Sequence, residues 1–121
     1  MQDKGKEDIM GYRLGINLGF AINRYPEPEV WSRIVGEELG LRYVQFVADL
    51  LNPFLPQDYI GDQLARIKRS TGEYGIQTES IFTSAFTRVN HMMSPDEEAR
   101  KIWISWFWIC WELFMRNTGS N

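Results

Sequence analysis

From Arg13 to Phe20 the sequence RLGINLGF places Leu14, Ile16, Leu18 and Phe20 at alternate positions, and this period of two predicts a strand. Beyond it, Pro26 and Pro28 end any strand and suit a helix's first turn, where a missing N–H costs nothing. Glu27 and Glu29 then sit near the positive end of the helix dipole. Val30, Trp31, Ile34 and Val35 fall on one helical face, and Gly40 supplies a left-handed stop. LRYVQFVAD predicts a second strand, followed by a loop punctuated by Pro53 and Pro56. A second helix is predicted from Gln57 to Tyr74, with Ile60, Leu64, Ile67 and Tyr74 as its buried stripe. Gly75 ends it, IQTESIFT predicts a third strand, and SAFTRVNHMMS a long loop. At the start of a third helix, SPDEEARKIW offers Ser94 as N-cap, Pro95 at the first position and Glu97 to complete a capping box.

The order is thus β-α-β-α-β-α. ELGL at 38–41 and EYGI at 73–76 repeat one device, a helix end, a glycine and a strand start. Strands alternating with helices imply a parallel sheet. The first strand-to-helix turn, GFAINRYP, has neither GxGxxG nor a P-loop pattern, so a nucleotide-binding turn is unsupported. Strand-to-helix loops are long and carry Asn, Asp, Arg and His, whereas helix-to-strand turns are short. A (β/α)8 barrel gathers its site on one face in this way.

Composition narrows the classes. A chain of 121 residues suits one domain, and the net charge of −3 with no basic patch argues against nucleic-acid binding. The single cysteine, Cys110, cannot form an internal disulfide, which fits a reducing, cytoplasmic setting. Residues 1–12 are polar, without the apolar stretch of a signal peptide, and read as a disordered tail. The longest apolar run, Ile102 to Phe114, falls short of the roughly 20 residues a membrane span needs, so no membrane role is expected.

The stretch LGINLGFAINRYPEPEVWSRIVGEELGLRYVQFVADLLNPFLP, with YGIQTESIFTSAFTRVNHMMSPDEEARKIW, resembles the N-terminal third of the sugar-phosphate isomerase/epimerase family, which has the xylose-isomerase-like TIM barrel. Within that family it looks most similar to the branch handling short ketose phosphates such as tetrulose phosphates. The likeness covers about Arg13 to Trp103 and rests on general layout, not a short diagnostic motif. It implies an α/β fold made of the N-terminal three βα units of a (β/α)8 TIM barrel, incomplete, over residues 13–102. It also implies a sugar-phosphate substrate and, in the complete enzyme, a divalent metal with carboxylates as acid and base. The family's metal site is usually Glu, Asp, His and Glu from later strands. No metal is therefore expected on this chain and no activity from it alone, since a full barrel typically needs about 250 residues.

Candidate substrate contacts follow by position. Asn17 lies near the end of the first strand, and Asp49 and Asn52 follow the second. Asp and Asn before Pro also commonly shape turns. Glu79 lies inside the third strand, where a carboxylate must be paired or functional. With Gln45 and Gln77 it is expected to form a polar layer inside the barrel. Arg88 and Arg24 lie in strand-to-helix loops and could meet a phosphate, although surface charge is the plainer role. His91, the sole histidine, follows the third strand; a solvated loop residue is the bland alternative to a substrate contact. The loop aromatics Phe20, Phe54 and Phe86 could shield a reacting sugar from water.

The end of the chain breaks the pattern. Trp103, Trp106, Phe107, Cys110 and Phe114 can line one helical face, but Ile104, Trp108, Trp111 and Met115 make the opposite face apolar too. A helix apolar all round does not belong on the outside of a barrel. Residues 103–121 therefore read as an aberrant, Trp-rich segment, such as a shifted reading frame or truncated gene would produce. The alternative is a small α/β interaction protein whose tail covers the open sheet or mediates self-association together with the exposed sheet edge.

Overall fold

A computed structural model describes residues 11–83 and 92–118. The strands are β1 (Gly15–Asn17), β2 (Tyr43–Val47) and β3 (Gln77–Phe82). The helices are α1 (Pro28–Arg33, continued by a π-helical turn Ile34–Glu38), α2 (Gln57–Tyr74) and α3 (Glu97–Thr118). The sheet order is β1-β2-β3 and both pairings are parallel, as the alternation of elements requires. Of the polar N-terminal segment only Gly11 and Tyr12 are described.

The first strand is shorter than the alternation predicts. Asn17 Oδ1 accepts the Gly19 N–H at 2.7 Å and starts a 3-10 turn, Leu18–Ala21, which buries Leu18 and Ala21. A short polar side chain that bonds its neighbouring backbone competes with the sheet ladder, and here it wins. The second strand is likewise trimmed by a 3-10 turn at Ala48–Leu50. Helix α2 runs over the predicted residues. Gly75 ends it at φ 66°, a left-handed conformation that glycine adopts without strain, and the Ile76 N–H donates to Thr71 O at 2.9 Å.

The cap of α3 differs from expectation by two residues. Asp96 Oδ1 accepts the Glu98 N–H at 3.0 Å, so Asp96 is the cap and the helix starts at Glu97. Ser94 instead forms the preceding turn, its Oγ accepting from Asp96 N at 3.3 Å. Arg100 braces this turn by donating to Ser94 O at 2.8 Å.

All three helices contribute to a core on one side of the sheet. Phe46, in the middle of β2, is its centre. It meets Trp31 of α1 edge-on at 6.4 Å and Phe114 of α3 at 4.7 Å. Val35, Val44, Ile60, Ile67, Trp106 and Cys110 complete it. Burial pushes the Cys110 thiol up to about 12, so it is a core side chain and not a thiolate nucleophile. Gly36 lets α1 and α2 approach closely, because a Cβ there would lie 2.6 Å from Tyr74 Cβ.

Helices α1 and α2 are also joined at the surface by Arg66 and Glu29, in a bidentate pair at 2.6 and 2.9 Å. The hydrogen bonds from Arg66 hold the Glu29 carboxyl down at about 2, below its ordinary 4.5. A depressed carboxylate stabilises the fold fully above its unfolded value and loses that contribution as pH falls toward the folded one. Between pH 4.5 and 2, Glu29→Gln is therefore expected to flatten part of the acid-induced loss of stability, as followed by circular dichroism. The effect stays below about 1 kcal/mol because the pair is solvent-screened. An unchanged acid profile in the variant would show that the pair contributes nothing to folding.

Candidate functional site

The helices leave the other face of the sheet open. In a closed barrel this is the face that points inward. Its polar row is built by register. Asn17, Gln45 and Ser80 stand side by side across β1, β2 and β3. Asn17 Nδ2 donates to Gln45 Oε1 at 2.7 Å, and Gln45 Nε2 donates to Ser80 Oγ at 3.0 Å. Below this row, Arg13 Nη1 donates to Glu79 Oε1 at 2.8 Å and its guanidinium lies 5.4 Å from the Tyr43 ring centroid. Together these side chains line an open cavity of about 400 Å³.

A register shift between Val44 and Gln45 creates this arrangement. Val44 pairs with Thr78 and Gln45 with Ser80, so Glu79 is the extra residue of a β-bulge. Glu79 and Ser80 are therefore consecutive residues on the open side, while Thr78 and Ile81 turn toward the helices. Strict alternation puts Ser80 on the face opposite Glu79, so the sequence reading omits it. The expected layer of Gln45, Gln77 and Glu79 is replaced by Asn17, Gln45 and Ser80, with Glu79 paired to Arg13. Gln77 lies exposed at the start of β3, held through its backbone N–H by Arg42 O at 2.8 Å. No pattern in the sequence announces the bulge, and Arg13 is 66 residues from Glu79.

The remaining candidates fall in different places. Asp49 lies in the 3-10 turn after β2, and its Oδ1 is buried without a hydrogen-bond partner among the described residues. Asn52 faces α3. Its Oδ1 accepts the Trp106 indole N–H at 3.2 Å and the Phe54 N–H at 3.0 Å, so that oxygen shapes the loop and anchors the helix. Phe54 packs edge-on against Trp106 at 6.5 Å, and the Arg24 guanidinium lies 5.6 Å from the Tyr25 ring centroid. Arg88, His91 and Phe86 lie outside the described residues.

Among the described residues no three His, Cys, Asp or Glu side chains converge as metal ligands would. These residues do not by themselves fit a divalent metal. No described helix is long and apolar enough to cross a membrane.

Helix α3 passes through position 102 without a break and has two different apolar faces. Trp106, Cys110 and Phe114, spaced by four, are buried, with Trp103, Phe107 and Leu113 packed beside them. On the outer side Trp108 and Trp111 are 66% and 53% exposed and stack at 5.9 Å. With Ile104, Met92 and Lys101 they line an apolar groove of about 680 Å³.

No protein-family model matches the chain. It is 28% identical over 98 residues to the D-erythrulose 1-phosphate 3-epimerase of Brucella abortus (strain 2308), covering 81% of this chain and 32% of that protein. It also superposes on the crystal structure of a protein from Rhodospirillum rubrum, provisionally assigned as a xylose isomerase, with a TM-score of 0.77 and 28% identity. That match covers 86% of this chain and 36% of the other, so the chain spans about a third of the length of either relative. Three parallel βα units with one face open and these two likenesses converge on one assignment, namely that the chain is a three-unit portion of a xylose-isomerase-like TIM barrel, similar in sequence to a sugar-phosphate epimerase.

Proposed function

We propose that these three units form part of the substrate cavity of an enzyme that isomerises or epimerises a short ketose phosphate, of the tetrulose phosphate class. The observation that carries this reading is the polar row on the one sheet face that the helices leave open. A sugar needs hydrogen-bonding groups there, whereas a purely structural barrel centre is filled by branched apolar side chains. Asn17 and Asp49 are the substrate contacts nearest the ends of β1 and β2. Arg88 and His91 would approach from the loop after β3, and Asn52 holds the loop after β2 in place. Glu79, neutralised by Arg13, forms the floor. The divalent metal and the acid–base carboxylates implied by the family belong to barrel strands other than these three.

The test is an assay of the purified chain with D-erythrulose 1-phosphate and Mg²⁺ or Mn²⁺ in deuterated water. The chain alone is expected to leave the proton next to the carbonyl unexchanged. Exchange is expected to appear when the later strands of the Brucella epimerase barrel are supplied as a second polypeptide. Metal-dependent exchange by the chain alone would overturn the division of labour proposed here.

The stacked, exposed Trp108 and Trp111 favour a second reading, in which the outer face of α3 drives self-association. It expects a discrete oligomer in sedimentation that Trp108→Ser with Trp111→Ser dissolves. A wild-type chain that sediments as a monomer at tens of micromolar would dismiss it.

A further inference from the structure

The row of side chains on the open face has a direction, and the direction can be read from its first bond. The Gly19 N–H can only donate, so the atom of Asn17 that faces it at 2.7 Å must be the carbonyl oxygen. The Asn17 amide nitrogen therefore points at Gln45, and it too can only donate. Gln45 must answer with its oxygen, which turns its own amide nitrogen toward Ser80. Reversing Gln45 would set two N–H groups against each other. Ser80 Oγ accordingly accepts at 3.0 Å, which leaves its hydroxyl proton, at the end of the row, directed away from Gln45. The bulge at Glu79 holds that hydroxyl on the open face, at the rim of the 400 Å³ cavity.

We propose that Ser80 is a specificity-determining residue, a hydrogen-bond donor for a neutral carbonyl or hydroxyl oxygen of the sugar, and that Gln45 is the positioning residue that aims it. This rests on the substrate class proposed above and adds what that reading lacks, a donor of fixed sense on the strand floor. An aimed donor discriminates because a ligand without an acceptor at that point leaves a polar group unpaired. The neighbouring charge does not compete for this role, since Glu79 is already engaged by Arg13 at 2.8 Å.

The experiment titrates the full ¹⁵N-labelled chain with D-erythrulose 1-phosphate, and separately with inorganic phosphate, following the side-chain amides of Asn17 and Gln45 by NMR. Those amides are expected to shift with the ketose phosphate and not with phosphate alone. Ser80→Ala is expected to weaken binding about three- to tenfold, the worth of one hydrogen bond, while Ser80→Thr keeps it. Gln45→Glu can accept from Ser80 but not donate to it, so it draws the hydroxyl inward and weakens binding by a similar factor. In the double variant Ser80→Ala with Gln45→Glu the two losses are expected not to add, because both remove one donor. If the wild type binds and Gln45→Glu and Ser80→Ala bind equally well, the aimed donor is wrong and the substrate class stands. If the wild type binds no ketose phosphate, both fall.

Discussion

Removal of residues 103–121 is expected to leave a chain with no cooperative unfolding transition. The cut takes Trp106, Cys110 and Phe114 out of the core, each buried to within 1% of full burial. It also removes the indole that occupies Asn52 and the ring that covers Phe46. Burying a large apolar side chain stabilises by about 1.5–3 kcal/mol, so the loss is on the order of 5–8 kcal/mol. A domain of this size has about 5–15 kcal/mol in total. Differential scanning calorimetry and the near-ultraviolet signal of the remaining aromatic side chains measure the outcome. The internal control is Trp108→Ser with Trp111→Ser, on the exposed face of the same helix. That pair should change stability by less than about 1 kcal/mol and reduce aggregation, because exposed positions outside the core are usually near neutral. A truncated chain that still unfolds cooperatively would mark the segment as an appendage, as its sequence suggests. In the structure its inner stripe is part of the core.

Phe46→Ala is expected to cost about 3–5 kcal/mol, the range for emptying a buried aromatic site. Phe46 is fully buried between Trp31 and Phe114, so its loss separates α1 from α3 across the middle strand. At roughly 4–8 °C per kcal/mol for a small domain, the midpoint should fall by at least about 12 °C. Phe46→Leu keeps most of the volume and should cost about half as much or less. Thermal unfolding of the two variants side by side checks this. Equal midpoints for Phe46→Ala and wild type would place the core elsewhere.

The order of elements was legible because it is written in local chemistry. Period-two apolar runs, the prolines at 26 and 28, and the glycines at 40 and 75 each act within a few residues. Helix α2 matches its predicted span because one stripe, one start and one glycine stop agree. Two of the ends that differ from expectation, β1 and the α3 cap, are places where Asn17 and Asp96 bond the adjacent backbone. The sequence offers such side chains at several neighbouring positions, and only geometry selects among them.

The site was legible by location more than by partnership. Asn17 and Gln45 were visible as polar residues in strands, and the likeness to ketose-phosphate enzymes was visible in the general layout. Residue types and local spacing by themselves determined the alternation of strands and helices, the side on which long loops gather, and the two apolar faces of the last helix. Tertiary structure alone decided that Glu79 bulges and brings Ser80 onto the open face. It also decided that Glu79 meets Arg13, that Asn52 serves Trp106, and that the inner stripe of the Trp-rich helix completes the core. Those outcomes depend on strand register and on contacts between residues 35 to 66 positions apart, and no local pattern encodes such distances.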